Sequence, residues 1–347
     1  MTVRSRKKLP SVLLLHNVPG AAAFSAACAE SDADVLAQVN CVAAALAKLG
    51  VRHRVVGVRR LAEVASLLAE AKESVVFNLV ECLAAHDQAA SVPALCDAFG
   101  KGCTGGDTPC LDLTLHKWRT KAVLRAAGLP VLDDVLVPVG TMPADGDLPT
   151  GTLIVKPVAT DGSEGLHIVQ SSAGHAAQMK KAIKYIHQHF NQAAMIEQYY
   201  GSREIMVPIL QDGRDLAVLA IAETDFGAFP RDRPRIVDYK AKWFADSFEF
   251  RNTTSTIPAR LDAGLRARVS QAAIAAWHAC GCRDYARVDT RCDAHGNFII
   301  LEINSNPDIA DDGGYTVSCI KSGIAFDHFV EMLITNAAAR LRASHTA

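Results

Sequence analysis

Tyr285-Ala286-Arg287-Val288-Asp289-Thr290-Arg291 and Asn297-Phe298-Ile299-Ile300-Leu301-Glu302-Ile303-Asn304 read as two strands, with Cys292-Asp293-Ala294-His295-Gly296 turning between them. Alternation puts Arg287, Asp289 and Arg291 on one face of the first strand, and Glu302 and Asn304 on one face of the second. With the turn centred between His295 and Gly296, Asp289 lies opposite Glu302 and Arg287 opposite Asn304, unless a bulge shifts the register. Two carboxylates directly across a ladder repel and destabilise it. A cation between them reverses that sign. Two carboxylates and an amide form a hard, all-oxygen set, which suits Mg²⁺ bound together with substrate phosphates. The apolar Val288, Ile299, Ile300, Leu301 and Ile303 favour a buried strand pair over a surface hairpin with solvated charges.

The chain of 347 residues has room for two or three domains with substantial cores. Its 36 Lys and Arg against 37 Asp and Glu give a net charge of -1, so no electrostatic footprint for nucleic acid or an anionic membrane exists. The ten cysteines are scattered without a CxxC pair. Cys280-Gly-Cys282 with Cys292 suggests zinc, but small buried residues kept reduced in a cytosol are the expectation. His187-Gln-His189 reads as a solvated helix face. Near the N-terminus, Arg4, Arg6, Lys7 and Lys8 precede Val12-Leu13-Leu14-Leu15, which imitates a signal peptide. That apolar run is interrupted at His16, too soon for a leader, and suits a buried strand of a parallel sheet. No run approaches the length of a membrane span, and a cytoplasmic location is expected.

In chain order, a helix is expected from about Asp34 to Lys48, with Val35, Val39, Val42 and Leu46 at helical spacing and a stop at Gly50. A strand over Val51–Val58, a helix over Leu61–Lys72 and a strand over Val75–Leu79 complete a βαβαβ pattern, the mark of an α/β unit with a parallel sheet. No GxGxxG follows the first strand and no GxxxxGK[ST] occurs, which removes support for a nicotinamide dehydrogenase or a P-loop enzyme. Further on, Thr104-Gly105-Gly106 precedes a helix holding His116 to Lys121, and Gly140 to Gly151 is a linker. Leu153 to Pro157 is a strand delivering Lys156, followed by the flexible loop Asp161-Gly162-Ser163-Glu164-Gly165, whose backbone N–H groups suit phosphate. A helix from about Ala173 to His189, strands over Ala194–Tyr200 and Glu204–Leu210, and a mobile loop carrying Lys240 and Lys242 come next. A helix over Ala263–Cys280 leads to the hairpin, and one near Ala325–Leu341 ends the chain.

Taken together, these segments resemble the ATP-grasp superfamily, in particular its D-alanine–D-alanine ligase branch. The resemblance runs from about Thr104 to Leu333 and rests on Cys103-Thr104-Gly105, His116-Lys117-Trp118, Lys156-Pro157, Glu197…Gly201…Glu204, Tyr239-Lys240-Ala241-Lys242-Trp243, and the hairpin through Pro307. It implies an N-terminal α/β domain (1–115), a central lobe (116–204) and a C-terminal catalytic lobe (205–347), the two lobes sandwiching ATP. It also implies roles. Lys117 and Lys156 would hold the α- and β-phosphates as point charges. Gly162 and Ser163 would cover the terminal phosphates, and Lys242 would meet the transferred one. Glu197, Gln198 and Tyr200 would form the adenine site, with Glu204 on the ribose hydroxyls. Asp289, Glu302 and Asn304 would hold two Mg²⁺, Mn²⁺ being the alternative, with Glu302 bridging. Arg287 would stabilise the oxyanion of a tetrahedral intermediate.

The implied activity is ATP-dependent ligation of a carboxylate to an amine through an acyl phosphate, joining small amino-acid-like substrates. Neither nucleic acid nor membrane is an expected partner, and a homodimer is left open. Two alternatives stand: a true D-alanine–D-alanine ligase with divergent loops, and a nucleotide-binding regulator without catalysis. The departures lie where the first substrate binds in the family. Its Gly-Gly-x-Ser loop with a following Glu is here His16-Asn17-Val18-Pro19-Gly20-Ala21, with no acid before Glu30. Its His-Gly-x-x-Gly-Glu-Asp-Gly loop is here Asn78 to Asp87, where Glu81 or Asp87 remains to meet an ammonium. Beyond Asn304 the acidic Asp308, Asp311 and Asp312 favour a substrate with a free amine or a cationic side chain. D-alanine is therefore not the expected first substrate.

Overall fold

Val12 to Asn17 is buried at every position, which requires cover on both faces. The computed structural model describes residues 9–20, 33–84, 86–144, 149–170 and 174–344. The basic residues at positions 4–8, most of the loop toward Glu30, and Ala173 lie outside these. In it β1 (Val12–Asn17) is followed by α1 (Val35–Lys48), β2 (His53–Val58), α2 (Leu61–Glu70), β3 (Val75–Leu79), α3 (Val92–Ala98) and β4 (Gly102–Cys103). The strands form a parallel sheet in the order β2-β1-β3-β4, as the alternating pattern predicts.

The chain then runs through α4 (Thr108–Leu115), α5 (Lys117–Ala126), β5 (Asp134–Val137), β6 (Leu153–Pro157), β7 (His167–Val169), α6 (His175–Phe190) and β8 (Ala194–Gln198). A four-stranded antiparallel sheet, β5-β8-β6-β7, results. The single helix expected around His116 is two helices. His116 caps the second with its ring, 3.4 Å from the Arg119 N–H, and the break lets the Lys117 N–H reach the Val158 carbonyl at 2.8 Å.

The third part comprises β9 (Arg203–Asp212), β10 (Asp215–Val218), β11 (Ala222–Thr224), α7 (Tyr239–Trp243), α8 (Phe248–Arg251), β12 (Ser255–Thr256), α9 (Ala263–Ala279), β13 (Tyr285–Cys292), β14 (Phe298–Asn304), α10 (Gly314–Lys321) and α11 (Phe326–Ser344). Its antiparallel sheet runs β12-β11-β9-β13-β14, with β10 on β9. Lys240 and Lys242, expected on a mobile loop, sit on the short helix α7. The Asp238 carboxylate caps it, accepting from the Ala241 N–H at 2.9 Å.

Two cores flank the parallel sheet. One joins Leu13, Leu15 and Val76 to Val64, Leu68, Val92 and Cys96. The other joins Val12, Leu14 and Phe77 to Val39 and Leu46, and also to Phe329, Leu333 and Tyr285 from the far end of the chain. The C-terminal helix thus covers the N-terminal sheet, and β13 begins beside it. Cys280, Cys282 and Cys292 are buried in a third core with Val288, Ile300 and Trp277, and Cys110 Sγ lies 3.7 Å from Cys282 Sγ. Among the described residues no helix is long and apolar enough to cross a membrane.

Candidate active site

A cleft opens between the β5-β8-β6-β7 sheet and the β13-β14 hairpin, bordered by Lys117, Lys156, Gly162, Ser163, Glu197, Gln198, Tyr200, Glu204, Lys242, Asp289 and Glu302. Arg287 and Asn304, expected with them, are not on its wall. Both remain in the hairpin register, Arg287 opposite Asn304 and Asp289 opposite Glu302. Nearer the turn the pairing is one residue off the expected centre: Thr290 faces Ile300 and Arg291 faces Ile299, with Leu301 as the extra residue of a bulge. The turn sets that offset. Asp293 Oδ1 accepts from the N–H groups of His295 and Asn297 at 2.8 and 2.9 Å, an arrangement centred on His295. The bulge restores Asp289 and Glu302 to opposite positions.

Cations already on the chain answer these carboxylates. Arg287 donates to both Asp289 oxygens, at 2.7 and 2.8 Å. Lys117 Nζ is 3.6 Å from Glu302 and also donates to the Thr160 carbonyl. Burial pushes the Glu302 carboxyl up, and Lys117, Lys156 and Lys242 outweigh it and hold the group below its ordinary range. Asn304 Oδ1 accepts from the Asn306 N–H at 3.0 Å. Among the described residues no cluster of three or more His, Cys, Asp or Glu side chains suits a metal. Two opposed carboxylates and one amide cannot fill a shell of six oxygens, so the donor set fits a hard ion that arrives with phosphate oxygens of its own.

At the opposite wall, Glu197 is almost fully enclosed and receives Lys121 on one oxygen and Lys156 on the other, the latter at 2.6 Å. Burial alone would raise its carboxyl; the two lysines win and lower it to about 2. The same burial works against the Lys156 ammonium, which Glu197 and Glu302 hold above its usual value. Lys121 had no role in the sequence reading. Its signal was its spacing, four residues after Lys117 on one helix face. Both lysines are buried, so the inward face of α5 is cationic.

The glycine loop closes the top of the cleft. Gly162, Ser163 and Gly165 have φ of 61°, 62° and 65°. Ser163, without glycine's freedom, is held there by Oγ donating to the Val237 carbonyl at 2.9 Å. Trp243 Nε1 donates to the Gly162 carbonyl at 3.0 Å, which brings α7 and Lys242 over the loop. A side chain at Gly165 would strike Pro157 and Phe190.

The far end from the hairpin carboxylates is the link between β8 and β9. Arg291, another residue without an assigned role, binds it. Its guanidinium lies 4.8 Å from the Tyr199 ring and donates to Glu204 at 2.9 Å and to the Tyr200 carbonyl at 2.7 Å. It shares a strand face with Asp289, the signal that placed it near the site.

The described parts of the two stretches that depart from the family pattern, residues 16–20 and 78–84, lie at the C-terminal edge of the parallel sheet, where ligands bind in open α/β folds. Asn17 Oδ1 accepts from the Glu81 N–H at 3.0 Å, and the buried Gln38 donates to Glu81 Oε1 at 2.9 Å. Burial raises the Glu81 carboxyl to about 8, with Asp308, Asp161 and Asp34 adding to the rise. Asp34 is raised to about 6 by burial and by Asp308 and Asp312.

Residues 148–335 match the family model described as D-ala D-ala ligase C-terminus. The chain is 29% identical to the D-alanine–D-alanine ligase of Haemophilus influenzae over 74% of its own length and 81% of that protein's. It is 28% identical to the ligase of that name from Acidiphilium cryptum, over 88% and 94%. An uncharacterised protein of Sinorhizobium fredii, y4sG, is 30% identical over 75% of this chain and 73% of its own. Among solved structures, the D-alanine–D-alanine ligase from Bacillus anthracis complexed with ATP superposes with a TM-score of 0.71, covering 97% of this chain and 99% of that one at 20% identity, a likeness of fold.

Proposed function

The chain belongs to the D-alanine–D-alanine ligase family of ATP-dependent carboxylate–amine ligases, and on that premise we propose that it joins two small amino-acid-like substrates, one of which carries an amine additional to its α-amino group or remote from its carboxylate. The observation that carries the ligase reading is the opposed pair Asp289 and Glu302, facing Lys117, Lys156 and Lys242 across one cleft. A carboxylate is a poor acyl donor because its leaving group would be oxide. Phosphorylation by ATP gives an acyl phosphate, the second substrate's amine attacks, and phosphate and ADP leave. This transfer needs positioning and charge neutralisation more than covalent help.

In this reading Lys117 and Lys156 take the α- and β-phosphates, so Lys156 exchanges Glu197 for the nucleotide while Lys121 keeps the buried carboxylate paired. Lys242 meets the transferred phosphoryl, and Gly162 and Ser163 cover it. Glu197, Gln198 and Tyr200 border the base and Glu204 takes the ribose hydroxyls. Asp289, Glu302 and Asn304 would hold the Mg²⁺ ions, which would supply neutralisation of phosphate charge. Arg287 then turns from Asp289 toward the oxyanion. The reading assigns 1–115 to substrate binding, 116–204 to the central lobe and 205–347 to the catalytic lobe.

The substrate class rests on the carboxylate-rich sheet edge. Glu81, Asp34 and Asp308 exceed what one α-ammonium would satisfy, and burying unmatched charge costs several kcal/mol per ion, roughly. Retention of Arg287, Lys242 and the three metal-facing side chains disfavours a regulator without catalysis. Glu302→Gln tests the site: Mg²⁺-dependent ADP formation should fall to background with the circular-dichroism spectrum unchanged, and Asp289→Asn should be milder. Near-normal turnover in Glu302→Gln would remove Glu302 from the metal site.

A further inference from the structure

Arg291 makes more contacts with separate parts of the chain than a wall residue of the cleft requires. It is 3% exposed and stands directly opposite Glu204 in the β9–β13 ladder. Its Nη1 donates to Glu204 Oε2 at 2.9 Å and its Nε to the Tyr200 carbonyl at 2.7 Å. Its Nη2 reaches the Gly201 carbonyl at 3.1 Å, the Arg235 carbonyl at 2.6 Å and the Tyr199 hydroxyl at 3.1 Å. Tyr199 Oη in turn accepts from the Arg235 N–H at 2.9 Å. One guanidinium therefore ties together the β8–β9 link, the irregular segment before α7 and the carboxylate of Glu204. Immediately beside it Gly201, at φ 59°, abuts the Cys292 carbonyl so closely that no side chain fits. The Ser202 N–H donates to the same carbonyl at 3.1 Å. The link is pinned to β13 at two adjoining residues.

We propose that Arg291 is the positioning residue that presents Glu204 to the ribose hydroxyls and thereby sets the preference for ATP over 2′-deoxy-ATP. The inference rests on the reading of Glu204 as the ribose acid. Its Nη1 anchors Oε2, while its other nitrogens, held by the Tyr200, Gly201 and Arg235 carbonyls, fix the guanidinium itself, leaving Oε1 as the acceptor for a hydroxyl. Burial raises the Glu204 carboxyl even with Arg291 beside it, Arg291 acting in the opposite sense; without Arg291 the carboxyl loses both that offset and its hydrogen-bonded anchor. A neutral or freely rotating carboxyl gains little from a second hydroxyl. An oriented carboxylate loses a charge-assisted bond when that hydroxyl is missing. Lysine cannot replace the fork, because a point charge cannot engage three carbonyls and a carboxylate in one plane.

The test is calorimetric titration of the full chain with Mg²⁺ and either ATP or 2′-deoxy-ATP, with kcat measured at saturating ATP. The wild type should prefer ATP by roughly tenfold or more, the scale of one hydrogen bond to a charged group. Arg291→Met should weaken ATP by about tenfold and 2′-deoxy-ATP far less, so that the ratio approaches one while kcat stays within about threefold. Arg291→Lys, which keeps the charge, should fall between and decides the matter if the Met variant does not fold. Equal weakening of both nucleotides in the variant that folds, with the ratio preserved, would overturn the proposal. Glu204→Gln separates the two levels. If it abolishes the preference while Arg291→Lys and Arg291→Met keep it, the positioning role alone fails. If the wild type shows no preference, or Glu204→Gln retains it, the ribose reading fails and the proposal with it.

Discussion

The cleft and the edge of the parallel sheet treat buried carboxylates in opposite ways. In the cleft four acids face cations: Glu197 meets Lys121 and Lys156, Glu204 meets Arg291 across the ladder, Asp289 meets Arg287 two residues back on its own strand, and Glu302 meets Lys117. At the sheet edge Glu81 and Asp34 lie among other acids, with a buried glutamine as the hydrogen-bond partner of Glu81, while Arg287 acts on Asp308. The two extremes are opposite shifts, Glu197 down to about 2 and Glu81 up to about 8, while Glu204, with Arg291 acting against its burial, stays raised. A protein can keep a buried acid by supplying its counterion or by leaving it to take a proton or a cationic ligand. The cleft takes the first course, suited to a nucleotide whose own charge rearranges the pairs. The sheet edge takes the second, suited to a substrate that brings an ammonium group.

Breaking the matched side gives the larger effect. Lys121→Met removes one of the two cations on Glu197, and stripping a partner from a buried pair costs about 3–5 kcal/mol, measurable by urea unfolding at pH 7. The pH dependence has a definite sign. Glu197 has a folded pKa below its unfolded one, so its stabilisation is fully present above about 4.5 and is lost as pH falls toward about 2. The wild type should lose stability steeply across that window and Lys121→Met less so. Equal slopes for the two proteins would mean that Lys121 does not hold Glu197 ionised.

The unmatched side gives an effect of opposite sign. Glu81 has a folded pKa above its unfolded one, so the folded state binds more protons, and stability declines as pH rises from about 4.5 through about 8. Glu81→Gln should flatten that decline while leaving the acid limb to Glu197. A thermal-melting series from pH 5 to pH 9 checks it. An alkaline slope identical in the variant would place the titrating group elsewhere.

How much of this was legible depends on which side of the comparison is considered. Strand alternation with a turn centred between His295 and Gly296 puts Asp289 opposite Glu302; the observed turn is centred on His295, and the pair stands opposite because the bulge makes up the one-residue offset. The bulge at Leu301 was not legible: it is fixed by Asp293 folding its own turn, a local side-chain event without a periodic signature. Lys121 reads as solvated charge on a polar helix; its spacing from Lys117 puts both on one face, and the partner 76 residues away shows that face to be the inward one. Lys240 and Lys242 sit between prolines and look unstructured, yet the Asp238 cap makes a helix of them. The parallel sheet was readable from its apolar strands, whereas the cover of Val12, Leu14 and Phe77 by Phe329 and Leu333 is a contact between the chain's two ends. At the sheet edge the sequence offered Glu81 and Asp87 as equals, and the carboxylate network is around Glu81.

The most direct test of the difference between the two ends is the specificity constant for the first substrate. ADP release should be followed at saturating ATP and Mg²⁺ with D-alanine, N-acylated amino acids, ω-amino acids and diamino acids in turn, and each product identified by mass spectrometry. An unmatched carboxylate cluster predicts the highest kcat/KM for a substrate with an additional or remote amine, with Glu81→Gln lowering that value more than the value for D-alanine. A kcat/KM for D-alanine above every other donor, unchanged in its rank by Glu81→Gln, would contradict this account.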